Sequence, residues 1–66
     1  MKYTNNVSKY RKEKKLTQVQ LADKAKISDT QIQNIEYGES APIVYTAIRI
    51  AKALETTVEE LFKEPQ

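Results

Sequence analysis

Three short segments of this chain share one form: a hydroxyl residue followed three positions later by Gln or Glu. They are Thr17-Gln18-Val19-Gln20, Ser28-Asp29-Thr30-Gln31 and Thr57-Val58-Glu59-Glu60. In this capping box the hydroxyl accepts from the N–H of the third helical residue, and the longer side chain reaches back to the N–H of the cap. Each segment therefore predicts a helix start. Thr17 and Ser28 stand so close that only a helix of about two turns and a tight turn fit between them. Residues 18–35, QVQLADKAKISDTQIQNI, thus read as two short helices joined at an abrupt corner. Ala22 is small enough to let the two backbones approach closely. Leu21, Ala25, Ile27, Ile32 and Ile35 point into the space between these helices and their neighbours.

The flanks supply three more helices. Asn5 or Asn6 can cap a first helix running to about Lys14, with Val7 and Tyr10 on one face. Gly38 ends the third helix. Pro42 suits the first position of a fourth, in which Val44, Ala47, Ile48, Ala51 and Leu54 form a buried stripe. The third capping box opens a fifth helix with Leu61 and Phe62 as its apolar residues. A short extended arm is expected at residues 2–4 and a frayed tail at residues 63–66. No stretch alternates as a strand does, so the fold class is all-α, five short helices in a single domain over residues 1–66.

Several classes of function are excluded by what the chain lacks. It has no Cys and no His, so neither a disulfide framework nor a zinc site is expected, and no metal or cofactor. The commonest activated nucleophile and general base are missing with them, and the chain is read as not an enzyme. No apolar run is long enough to span a membrane, and the N-terminal residues lack a signal-peptide core, so a cytoplasmic location is expected.

Charge is unevenly spread. The net charge is only +2, yet residues 1–15 hold Lys2, Lys9, Arg11, Lys12, Lys14 and Lys15 against Glu13 alone. Such a basic helix suits phosphate. On the third helix, Ile32, Ile35 and Glu36 share one side, while Thr30 and Asn34 point the other way, flanked by Gln31, Gln33 and Tyr37. An ordinary solvated face carries Lys and Glu. This one carries amides and a hydroxyl, which match base edges: Asn or Gln can bond adenine bidentately, and the Thr methyl can meet that of thymine.

The chain resembles the phage-repressor helix-turn-helix family (lambda-repressor-like, Cro/cI or XRE type). The resemblance runs from about Val7 to Phe62. It is carried by Arg11, Leu16-Thr17-Gln18, Leu21-Ala22, Ile27-Ser28, Ile32, Ile35-Glu36, Gly38, Pro42, Ile50-Ala51-Lys52-Ala53-Leu54 and Glu60-Leu61-Phe62. It implies a compact five-helix domain with the motif at about residues 18–36. It implies base contacts from Asp29, Thr30 and Asn34, beside which Gln31 and Gln33 lie. Asp29 can accept from cytosine N4 or simply favour the first turn of its helix. Gln18, at a helix start with free N–H groups, matches a phosphate-binding glutamine. Lys9, Lys12, Lys14, Lys15 and Tyr37 join it as phosphate candidates. Arg11 and Glu36 match a largely buried structural ion pair.

The resemblance implies a transcriptional regulator, most simply a repressor, of a double-stranded operator. A domain this small makes few contacts, so a homodimer on a palindromic site is expected, its reading helices about 34 Å apart. Val58, Leu61 and Phe62 are candidates for the dimer surface, with Ile43 and Tyr45. No small-molecule ligand is indicated, so control would come from concentration, dimerisation or a partner protein. Absence of Arg and Lys from the third helix favours A·T-containing half-sites. Two other readings fit: an antitoxin or restriction-control protein, and a protein-interaction module that kept the fold without DNA affinity, for which Asp29 and Glu39 speak. Three positions depart from the family. Lys15, Lys26 and Glu55 stand where it commonly has glycine, and the loop Tyr37-Gly38-Glu39-Ser40 lacks its usual phosphate-gripping cation.

Overall fold

The computed structural model describes residues 4–63, so the expected arm and tail lie largely outside the described residues. Five helices and no strand are found among them: α1 (Val7–Glu13), α2 (Gln18–Ala25), α3 (Asp29–Glu36), α4 (Val44–Ala53) and α5 (Val58–Leu61).

Helix starts follow the cap chemistry. Thr17 Oγ1 accepts from Gln20 N at 3.0 Å while Gln20 Oε1 accepts from Thr17 N at 2.8 Å. Ser28 Oγ accepts from Gln31 N at 3.1 Å and Gln31 Oε1 from Ser28 N at 3.1 Å. The third box is only half formed. Thr57 Oγ1 accepts from Glu60 N at 3.1 Å, but the Glu60 carboxylate turns to accept from the Tyr10 hydroxyl at 3.2 Å. Desolvation and the Glu60 charge hold the Tyr10 phenol above its ordinary pKa. At α1, Asn5 Oδ1 accepts from Val7 N at 3.0 Å, whereas Asn6 donates its backbone N–H to Leu61 O at 2.7 Å. The start of α1 is thereby stapled to the end of α5.

Four helices end the same way. The amide one residue past a left-handed residue returns to a carbonyl five positions back: Leu16 to Arg11, Ile27 to Ala22, Glu39 to Asn34 and Thr56 to Ala51, at 2.9–3.1 Å. The left-handed residues are Lys15 (φ 59°), Lys26 (φ 59°), Gly38 (φ 76°) and Glu55 (φ 56°). This closure satisfies orphan carbonyls and favours glycine. Three of the four carry a Cβ instead, at a cost of about 1 kcal/mol each. Lys26→Gly is therefore expected to stabilise the fold by about 1 kcal/mol, raising the melting temperature by roughly 4–8 °C. An unchanged or lower denaturation midpoint would contradict this.

The core is one cluster. Val7, Leu21, Ile32, Ile50, Leu54 and Leu61 are fully enclosed, and Ala22, Ala25, Ile35 and Ala51 fill between them. Each large side chain contributes about 1.5–3 kcal/mol by leaving water. α2 lies at the centre, against α3 on one side and α4 on the other, with α1 resting on α3 and α5 on α4. Small residues at 22 and 25 are what allow α2 to be packed on two sides.

Three expectations are corrected. α4 begins after Pro42, not at it: the chain stays extended through Ile43, whose carbonyl accepts from Ala47 N at 2.9 Å. Its buried stripe is Thr46, Ala47, Ile50, Ala51 and Leu54, whereas Val44 is 72% and Ile48 38% exposed. Apolar residues occupy more than one face of this helix, so periodicity alone fits two stripes. Packing against α2 and α5 selects the one holding Ile50. Leu61, a candidate for the dimer surface, is fully buried. The staple between α1 and α5 turns it inward, and it cannot meet a second chain.

Candidate nucleic-acid interface

The two halves of the motif are locked by a single carboxylate. Arg11 Nε donates to Glu36 Oε2 at 2.6 Å and Arg11 Nη2 to Glu36 Oε1 at 3.2 Å. Gln18 Nε2 donates to the same Oε1 at 3.1 Å, and Arg11 Nη1 to Leu16 O at 2.8 Å. The side chains of Arg11 and Glu36 are 12% and 5% exposed. One buried ion pair thus joins α1, the start of α2 and the end of α3. Asn5 Nδ2 adds a second tie, donating at 2.7 Å to Ile35 O in the last turn of α3, which also accepts from Gly38 N at 3.1 Å. Sequence reasoning missed both side-chain links, from Gln18 and from Asn5. The short separation of Gln18 from a capped helix start was no signal of its contact with Glu36.

With its inner side fixed by Ile32 and Ile35, α3 turns Asp29, Thr30, Gln31 and Asn34 to solvent, and leaves Gln33 half-buried on the flank. These groups are not equally free. Gln31 Oε1 is held by Ser28 N, so only its Nε2 is available as a donor. Bidentate recognition of adenine by Gln31 would break the cap of its own helix. Asp29 Oδ1 accepts from Thr30 N at 3.1 Å, a local contact in the first turn. Asn34 has its amide and carbonyl both uncommitted among the described residues, and it stands at the middle of the exposed face. Tyr37 is 61% exposed just beyond it.

Around this face lie donors for phosphate. Gln18 gives one amide hydrogen to Glu36, which leaves its second, and the backbone N–H groups of Gln18 and Val19 open at the positive end of α2. Lys9 and Lys12 are exposed on α1, three positions apart. Lys14, of the same basic stretch, is instead paired with Glu55 Oε1 at 2.7 Å. That contact holds the Glu55 carboxyl below its ordinary pKa. A pocket of about 190 Å³ between α3 and the start of α4 is lined by Gln31, Asn34, Ser40, Ile43 and Thr46. It places the first turn of α4 beside the amide face. Among the described residues no cluster of carboxylates could hold a metal ion, and no helix is long and apolar enough to cross a membrane.

Comparisons with known proteins agree with this geometry. The sequence model of the helix-turn-helix family matches residues 7–61. The cryptic phage CTXphi transcriptional repressor RstR of Vibrio cholerae serotype O1 is 38% identical over 61 residues, which are 92% of this chain and 54% of that one. Among solved structures, a chain of a SinR protein/SinI protein complex superposes with a TM-score of 0.84 at 27% identity, covering 89% of this chain and 58% of that chain. The chain therefore spans little more than half the length of either relative.

Proposed function

Because the chain belongs to the helix-turn-helix family, we propose that it is a sequence-specific, double-stranded-DNA-binding transcriptional repressor that reads the major groove with α3. One observation carries the reading: an α3 held rigidly from behind by Ile32, Ile35 and Glu36 that turns Thr30 and Asn34, with the Gln31 donor, outward. Amides and a methyl-bearing hydroxyl are base-edge chemistry. Similarity to a phage repressor supports the regulatory role. In this reading Asn34 and Thr30 take the principal base contacts. Gln31 donates a single bond, Gln33 and Asp29 contact the edges of the site, and Gln18, Lys9, Lys12 and Tyr37 hold phosphates. No step requires a metal, a cofactor or catalysis, and the protein acts where the genome is, in the cytoplasm.

The operator-bound form is a homodimer on a palindromic site. Its interface is the apolar face at the start of α4, away from the buried Leu61. A groove of about 280 Å³ is lined there by Pro42, Val44, Ala47, Val58 and Phe62, and Ile43 and Tyr45 stand exposed beside it at 70% and 75%. Exposed apolar side chains in such a group mark a contact surface. Two copies joined there set their α3 helices side by side along one groove face of the duplex.

Selection from random duplexes, followed by titration at several salt concentrations, tests this. The expected outcome is a two-fold symmetric sequence with half-sites about one helical turn apart. The affinity falls steeply with salt, at a logarithmic slope of about −0.9 per phosphate neutralised. Replacing Lys9 and Lys12 by Gln makes that slope shallower by about 1 for each phosphate no longer neutralised, with the preferred sequence unchanged. Absence of duplex binding at low salt would overturn the reading in favour of a protein-interaction module.

A further inference from the structure

One charged feature includes residues of neither the reading helix nor the apolar groove. Where α2 and α4 end, a groove of about 500 Å³ is lined by Lys24, Lys26, Arg49 and Lys52. Ala25 and Ala53 complete its lining beside the cations. The one carboxylate lining it, Glu55, accepts from Lys14 at 2.7 Å and also feels the charge of Lys24. Among the described residues, none of the four cations is within ion-pair distance of a carboxylate.

Helix dipoles account for part of this. Lys24 and Lys52 are in the last turns of their helices, where a cation is favoured. Arg49 is in the body of α4, beyond the reach of that effect. Lys26 is the left-handed residue ending α2, at φ 59°, a place where glycine is cheaper. A left-handed helix-ending position here carries a fourth cation.

Along α4 the groove lies at the opposite end from the residues beside the amide face, while on α2 its Lys26 precedes Asp29 of α3 by three positions. The first turn of α4 shares a pocket with Gln31 and Asn34, whereas Arg49, Lys52 and Ala53 belong to the far end of that helix. From Ile43 to Lys52 the axis runs roughly 13 Å. Arg49 offers a planar fork for a carboxylate, and the lysines surround it with point charges.

We propose that this groove docks an acidic, Asp- and Glu-rich segment of a partner protein. A labelled synthetic oligoglutamate peptide is titrated against the full chain at about 0.1 M salt, where charges beyond about 10 Å are screened. The expected result is saturable binding that Arg49→Glu with Lys52→Glu weakens about tenfold or more, and that Lys9→Glu with Lys12→Glu leaves within about twofold. Lys26→Gly keeps the left-handed backbone. It is expected to weaken the peptide about twofold while the melting temperature rises. Peptide-induced amide shifts fall on residues 24–26 and 49–53. Equal peptide binding by the parent and the Arg49/Lys52 variant, or none by the parent, overturns the proposal. So does a loss of duplex affinity in that variant as large as in the Lys9/Lys12 variant, which would make the groove a phosphate-backbone contact. The peptide titration contains no DNA, so its failure and a failure of the DNA-reading proposal are separate results.

Discussion

Glu36→Ala is expected to lower the unfolding free energy by about 3–5 kcal/mol. A domain of this length has a total stability on the order of 3–10 kcal/mol, so the variant loses about a third of it or more. The cause is the partner left behind. Arg11, with its side chain 12% exposed, would keep its charge inside the protein and only the Leu16 carbonyl to donate to. Gln18 would lose its acceptor at the same time. An ion pair of this kind contributes little relative to an apolar pair of the same shape, so Arg11→Met combined with Glu36→Leu should cost less than Glu36→Ala alone. Urea denaturation followed by circular dichroism measures all three. A Glu36→Ala midpoint equal to that of the parent would show that the carboxylate is not what joins α1, α2 and α3.

Asn34→Ala is expected to cost about 1–3 kcal/mol of specific affinity per half-site, with both copies of a dimer affected. Asn34 is exposed and its side chain is uncommitted, so the melting temperature should not move. Binding to unrelated duplexes should also stay the same, because phosphate contacts supply it. Gln31→Ala behaves differently. It removes half of the cap that starts α3, so it lowers stability by about 1 kcal/mol and weakens the operator less than Asn34→Ala does. Competition titrations against the selected operator and a scrambled duplex separate the two effects. Equal losses of operator and scrambled affinity in Asn34→Ala would place that side chain on the backbone rather than on a base.

Legibility in the sequence differed by the range of the interaction. Thr17 and Ser28 marked α2 and α3 to the residue, because a capping box is made and satisfied within four positions. The left-handed ends at Lys15, Lys26 and Glu55 were legible only through resemblance, since nothing about a lysine or a glutamate announces positive φ. The third box was misread. Its Glu60 has a competing partner, Tyr10, from the other end of the chain. The α4 stripe was misread for a related reason. Val44 and Ile48 are as apolar as Ile50, and which row enters the core depends on how α2 and α5 meet the helix.

The site divides along the same line. Which residues face outward from α3 follows from a period of 3.6 and two buried isoleucines. That Gln31 has only a donor to offer, and Asn34 a donor and an acceptor, could be seen only with the cap bonds in place. The sequence by itself determined five short helices, the corner between α2 and α3, and an amide-bearing outer face, because local hydrogen bonds and helical periodicity fix these. Tertiary structure alone decided three things: that Leu61 is core, that Gln18 leans on Glu36, and that four cations from α2 and α4 line one groove. The physical reason is that each of these joins segments distant in the chain, and burial and charge pairing between such segments exist only once the helices are packed.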